Sequence, residues 1–247
     1  MSARHSPVPA PSPNHDARPP GQAVDILVLH YTGMPDAAGA LEWLCDPAAK
    51  VSSHYMIDED GTIYALVPED RRAWHAGVSH WAGASDVNAR SIGIELVNPG
   101  PGPDARPFAE PLMAALESLA VDILGRHPVP PWRVLGHSDV APARKQDPGE
   151  AFDWRRLAAR GIGLWPDVEA CHGGAPLCPG DAGDEVHSLQ RSLSRFGYGL
   201  APTGLYDQAT TEVVVALQRH WRPACVDGIA DAETRDILAA LLRAAGR

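Results

Sequence analysis

One loop-like stretch carries most of the chemistry in this chain. Gly136-His137-Ser138-Asp139-Val140-Ala141-Pro142-Ala143-Arg144-Lys145-Gln146-Asp147-Pro148-Gly149 brings a histidine, a lysine and an aspartate close together in sequence. An imidazole nitrogen and a carboxylate oxygen are zinc ligands, and a catalytic zinc takes three protein ligands while keeping one position open. The third ligand must come from another element. His30, at the end of the apolar run Ile26–Tyr31 (ILVLHY), is the best candidate. A strand end is where a rigid scaffold exposes a reactive group.

Two further residues stand out by type. The chain has only two lysines, Lys50 and Lys145, and arginine fills nearly every other basic position. A lysine two residues from a candidate ligand offers a compact ammonium that a guanidinium cannot replace. Glu95 lies inside the apolar segment Ser91-Ile92-Gly93-Ile94-Glu95-Leu96. A carboxylate there is costly unless paired or functional, and beside an activated water it can take a proton. The competing expectations are a solvated loop lysine and a glutamate on the open face of an edge strand.

These groups need elements to hold them. Ile26–Tyr31 and Ser91–Val97 read as strands. His54–Asp58 and Thr62–Val67 flank Glu59-Asp60-Gly61, a hairpin signal. Ala37–Leu44 is a short helix candidate, and Phe108–Arg126 has Leu112, Leu116, Leu119 and Ile123 at helical spacing. Val134–Leu135 leads into Gly136-His137. Strands separated by helices predict an α/β domain over residues 23–165, a mixed central sheet flanked by helices. Residues 166–183, rich in Pro, Gly and Cys, read as a linker. From 184 to 247 the pattern is helical, with stripes at Val186/Leu189/Leu193/Phe196, Val213/Val214/Leu217/Trp221 and Ile237/Leu238/Leu241/Leu242. Gly204-x-x-Asp207-x-x-Thr210 recurs as Gly228-x-x-Asp231-x-x-Thr234, each Asp placed to cap the next helix. The expectation is a small all-α unit of three helices, separable from the domain before it.

Bulk properties bound the function. The 247 residues carry a formal net charge of −10, and the parts before and after residue 165 are both acidic, which excludes a phosphate-backbone partner. No apolar run is long enough to span a bilayer. Residues 1–22 contain six prolines and no apolar signal core, so they read as a disordered lead. As given, the chain reads as cytoplasmic, with the cell envelope as the alternative. Cys45, Cys171, Cys178 and Cys225 permit disulfides without requiring them; Cys171 and Cys178 are close enough to staple, and Cys171-His172 with Cys178 is at most half a zinc site.

Taken together, His30, SIGIE at 91–95 and GHSDVAPARKQDPG at 136–149 resemble the N-acetylmuramoyl-L-alanine amidase type 2 family, which shares its fold with peptidoglycan recognition proteins and the phage T7-type amidase. AWHAG at 73–77 and VSSHY at 51–55 are also similar to its motifs. The resemblance covers roughly residues 24–160. It implies one zinc held by His30, His137 and Asp147, Glu95 as the catalytic carboxylate and Lys145 as the oxyanion stabiliser. His54, His75 and Trp74 fall in family-like motifs and are possible substrate-lining or structural residues. Residues 184–242 resemble a type 1 peptidoglycan-binding domain through Leu189-Gln190, Gly197-Tyr198, Gly204-Leu205-Tyr206, Leu217-Gln218 and Asp227-Gly228-Ile229. The implied substrate is peptidoglycan or a muropeptide, whole wall or anhydro form. A non-catalytic muropeptide binder on the same fold is the alternative, and a purely structural wall-attachment protein leaves the His/Glu/Lys/Asp set unexplained.

Overall fold

The structure is a computed structural model that describes residues 6–169, 173 and 175–247. Eight strands form in chain order: β1 (Val8–Pro9), β2 (His15–Ala17), β3 (Ile26–Tyr31), β4 (Tyr55–Ile57), β5 (Ile63–Ala65), β6 (Arg71–Ala73), β7 (Ser91–Leu96) and β8 (Val134–Gly136). Six of them make one mixed sheet in the order β1-β5-β4-β7-β3-β8. The expected hairpin is β4/β5, closed by Asp58 N–H to Thr62 O at 2.9 Å. β7 pairs parallel with both β3 and β4, so Glu95 lies on an interior strand and not on an edge.

The apolar runs are buried on both faces, as a parallel interior demands. Leu27, Leu29, Ile92 and Ile94 pack against α2 (Glu110–Arg126) through Leu112, Leu116 and Ile123. Ile26, Val28 and Leu135 point the other way. On that face α1 (Ala37–Cys45) covers the Met56 end. The short helices α3 (His137–Val140) and α4 (Trp154–Ala159) follow β8. Three long helices complete the chain: α5 (Asp184–Phe196), α6 (Gln208–Trp221) and α7 (Ala232–Ala244). Asp207 and Asp231 cap α6 and α7 by accepting from Thr210 N and Thr234 N, each at 2.9 Å.

Three expectations need correction. First, the helical unit does not stand apart: Leu193, Phe196, Tyr198, Val213 and Trp221 share one continuous core with Ile26, Val28, Trp81, Leu135 and Val140 of the sheet domain. The sheet's second apolar face has to be covered, and the helices cover it. Second, the supposed linker is packed at its far end, where Leu177 bridges Ala230 and Ala182 bridges Leu205. Cys171 and His172 lie outside the described residues; Cys45, Cys178 and Cys225 are free thiols.

Third, residues 6–22 are not a disordered lead. β1 pairs parallel with β5, and Ala10 N and Ser12 N donate to Ala65 O and Leu66 O at 2.9 Å. The prolines at 7, 9, 11 and 13 alternate with these donors. Their missing N–H groups thus fall on the open side of the sheet edge, where proline is tolerated. Ser12 and Asn14 are buried, Asn14 Nδ2 donating to Asp46 O and Val51 O at 2.8 Å. Arg18 then clamps four backbone carbonyls: Glu69 O (3.0 Å), Asn88 O (3.1 Å), Ala89 O (2.8 Å) and Ser91 O (2.8 Å). Charge-assisted bonds of this kind are the stronger ones. Arg18→Ala should therefore cost roughly 2 kcal/mol of folding stability, read as a lower urea midpoint with an unchanged slope.

Candidate metal centre and active-site cleft

Register brings the first two site residues together. β3 and β7 run in parallel with His30 opposite Glu95, and Val28 opposite Gly93. His30 and Glu95 therefore emerge on one face near the carboxyl ends of neighbouring strands, where open α/β sheets place ligands. β8 lies on the other side of β3, with Leu29 opposite Gly136, so His137 begins one residue past the strand in α3. The loop then turns back, and Ser138 N donates to Asp147 O at 3.0 Å. This bond ties the two ends of the motif and sets Asp147 beside His137.

The outcome is a tight triangle of inner atoms. His30 Nδ1 lies 3.0 Å from His137 Nδ1 and 3.0 Å from Asp147 Oδ2, and His137 Nδ1 lies 3.1 Å from the same oxygen. All three residues are buried. The outer nitrogens have acceptors of their own. His137 Nε2 donates to Ala76 O at 3.1 Å, and His30 Nε2 donates to His75 Nδ1 at 3.0 Å. A neutral imidazole carries one proton, so each inner Nδ1 then presents a lone pair. In that tautomer two nitrogen lone pairs and a carboxylate oxygen converge. Such a group is stable when a cation sits among its atoms, and no other group of this kind occurs among the described residues. The edges approach the ~3.3 Å ligand separation of a tetrahedron with bonds of about 2.0–2.1 Å, so the residues fit a small divalent metal.

Behind His30 stands a built support. His75 Nε2 donates to Ser91 Oγ at 3.0 Å, which leaves its Nδ1 free to accept from His30. Burial, then the neighbouring His30, His54 and His137, hold the His75 imidazole well below its ordinary range and keep it neutral. Burial and then His137 push His30 down to about 4. The ring of His75 rests directly on Gly93: a Cβ there would meet it at 2.5 Å, so SIGIE needs its glycine to make room for the histidine.

The metal group opens into a cavity of about 600 Å³ between α1 and α6. Glu95, Lys145, Trp74 and His75 line it together with His30, His137 and Asp147. Glu95 Oε2 is buried and has no hydrogen-bond partner. Burial and then the charge of Asp147 raise its pKa well above the carboxylate range, with Lys145 opposing. The cavity thus holds an acid that favours its proton and an exposed ammonium. His54 does not line the cavity. It is fully buried, accepts from Gly93 N at its Nδ1 (3.0 Å) and sits beside Arg18 and the Arg71 carbonyl, a structural position. Sequence reading missed Ser91, the Ala76 carbonyl and Arg219, which α6 of the helical unit contributes to the cavity wall. Only the Arg219 position next to His220 and Trp221 hinted at a buried helix end.

An α/β sheet, a strand-end His/His/Asp group that could hold a metal ion and an adjacent acid with a buried oxygen define the class: an α/β enzyme with a candidate metal centre. Comparison with known proteins then makes the assignment particular. Residues 20–150 match the N-acetylmuramoyl-L-alanine amidase family, and residues 182–238 match a putative peptidoglycan binding domain. The chain is 40% identical over 240 residues to the N-acetylmuramoyl-L-alanine amidase AmiD of Escherichia coli K12, covering 91% of this chain and 84% of the relative. It is 37% identical over 176 residues to the 1,6-anhydro-N-acetylmuramyl-L-alanine amidase AmpD of Enterobacter cloacae, covering 64% of this chain and 90% of that one. The structure of E. coli AmiD with anhydro-N-acetylmuramic acid-L-Ala-D-γ-Glu-L-Lys superposes with a TM-score of 0.80, 37% identity, and coverage of 100% of this chain and 93% of that one. AmpDh3 of Pseudomonas aeruginosa, in complex with anhydromuramic pentapeptide, gives 0.75 at 34% identity, covering 92% and 94%. The chain belongs to the N-acetylmuramoyl-L-alanine amidase family.

A partner that orients a metal-binding histidine is typically worth 10- to 100-fold in metal affinity. His75→Ala should weaken metal binding by about that factor, measured by chelator competition, while a substitution at His54 acts on folding stability.

Proposed function

We propose that this chain is a zinc-dependent amidase that hydrolyses the bond between the lactyl carbonyl of N-acetylmuramic or anhydro-N-acetylmuramic acid and the L-alanine of a muropeptide. The observation that carries the reading is the convergence of His30 Nδ1, His137 Nδ1 and Asp147 Oδ2 within 3.1 Å, with the partnerless Glu95 Oε2 in the same cavity. Two imidazoles and one carboxylate are a catalytic zinc set. Bound zinc supplies Lewis-acid polarisation of the carbonyl and a lowered pKa for water.

The chain's own residues do the rest. Glu95 Oε2 accepts the proton of the attacking water and returns it to the alanine nitrogen as the C–N bond breaks. The Lys145 ammonium faces the negative charge that grows on the carbonyl oxygen. Lys145, Arg144 and Arg219 also give the cleft positive charge suited to the carboxylates of a stem peptide. The helical unit has the family match for wall binding, and its role here is attachment to the glycan–peptide substrate. A non-catalytic binder gains nothing from a buried, unpaired carboxyl, which is costly to keep; the amidase reading uses it.

Zinc analysis and hydrolysis of an anhydro-muramyl tripeptide test the reading. His137→Ala should lose zinc. Glu95→Gln should keep zinc and lose about 10²–10⁴ in turnover, and Lys145→Ala about 10²–10³. The acid limb of the kcat–pH profile should disappear in Glu95→Gln. Zinc retained in full by His137→Ala, or near-normal turnover in Glu95→Gln, overturns the assignment.

Glu95 also has a stability signature in metal-free protein. Its folded-state pKa is raised, so the stabilising contribution of the protonated acid is full below the unfolded-state value and is lost as pH rises through the folded one. Glu95→Gln should therefore melt above the parent at neutral and alkaline pH, with the two curves converging in acid. Thermal melts of chelator-treated protein across pH check this.

A further inference from the structure

Asp139 lies in α3, two residues from His137, and is fully buried. Its carboxylate has three donors. Gly136 N–H reaches Oδ2 at 2.8 Å and closes the turn that carries His137. The other two come from the helical unit: Tyr198 O–H to Oδ1 at 3.0 Å and His220 Nδ1–H to Oδ2 at 2.7 Å. Both donors are held in place. The His220 ring is sandwiched between Trp221, with centroids 3.6 Å apart, and Trp154 of α4 at 3.7 Å. Tyr198 packs edge-on against Trp81 at 5.0 Å, and Gly197 lies so close to that indole that a Cβ would meet it at 2.6 Å. Trp221 Nε1 donates to Leu164 O at 2.8 Å, and Ala82 N donates to Gly197 O at 2.7 Å.

From this geometry we infer that the helical unit is an outer layer of the metal centre, with Tyr198 and His220 as positioning residues that act through Asp139 on His137. The chain of contacts is short: phenol and imidazole fix the carboxylate, the carboxylate fixes the Gly136–His137 turn, and the turn aims His137 Nδ1. A unit serving attachment alone has no need to place two buried donors on a residue of the ligand-bearing turn. The inference rests on the zinc reading and adds a second task to a module matched only to peptidoglycan binding.

The test uses the full chain and three nearly isosteric variants. Tyr198→Phe removes the phenol donor, and His220→Phe keeps a stacked ring without a donor. Tyr206→Phe is the control: it deletes an equally buried phenol bond, to Gly228 O at 2.7 Å, inside the helical unit and away from Asp139. Zinc affinity is read by chelator competition, ligand geometry by the visible spectrum of the cobalt-substituted protein, and kcat and KM with a soluble anhydro-muramyl tripeptide. Loss of one such bond at the turn should weaken zinc roughly three- to tenfold. Tyr198→Phe and His220→Phe should show that loss, an altered cobalt spectrum and a lower kcat with KM little changed. Tyr206→Phe should match the parent in all of these while lowering the melting temperature. If Tyr198→Phe and Tyr206→Phe are alike in zinc affinity and cobalt spectrum, the inference is wrong. If the parent itself binds no zinc, it is the zinc reading that fails.

Discussion

Three buried polar atoms, two imidazole nitrogens and a carboxylate oxygen, that face one another at 3.0–3.1 Å are the constraint around which this protein is built. With both outer nitrogens protonated, the inner lone pairs of His30, His137 and Asp147 repel, and desolvation removes the water that could separate them. Their convergence is held from outside. The Ala76 carbonyl and His75 take the outer protons of the two ligand imidazoles, and Ser91 takes that of His75. Gly93 leaves the space that lets His75 lie flat on the sheet. Such a group fits a cation, and the low dielectric that makes the unpaired atoms costly would strengthen their hold on one.

Glu95 is the complement of that cluster. Its register opposite His30 puts it at the same strand end, yet it makes no hydrogen bond through Oε2. A group kept buried and unpaired lowers stability, and natural proteins tolerate this where a reaction requires it. The His/His/Asp group and the acid thus have opposite characters: one is supported from behind by hydrogen bonds, the other has an oxygen with no hydrogen-bond partner.

The sheet explains why the two matched regions form one body. Ile26, Val28 and Leu135 on one face are as apolar as Leu27 and Leu29 on the other, and α2 covers only the latter. The helices α5–α7 cover much of the former, and in doing so they bring Arg219 to the cleft and Tyr198 and His220 to Asp139. Packing and catalysis are therefore linked on one face.

Much of this was legible from residue order alone. Short continuous apolar runs located β3 and β7, which are buried on both faces, and period-3.6 patterns located α2 and the three C-terminal helices, which bury one face. The motif at 136–149, with His30 and Glu95, pointed to residues that the fold brings to one cavity. Tertiary structure decided the rest. The proline-rich lead showed no periodicity, and only the distant edge of β5 turned its alternate N–H groups into a ladder. His54 and His75 stood in equally suggestive motifs; position relative to His30 made one an inner support and the other a bond to Gly93 N. Asp139, Tyr198 and His220 lie up to 81 residues apart, so no local signal could join them. Residue type determines what a side chain is able to do, whereas what it meets depends on contacts between segments far apart in sequence.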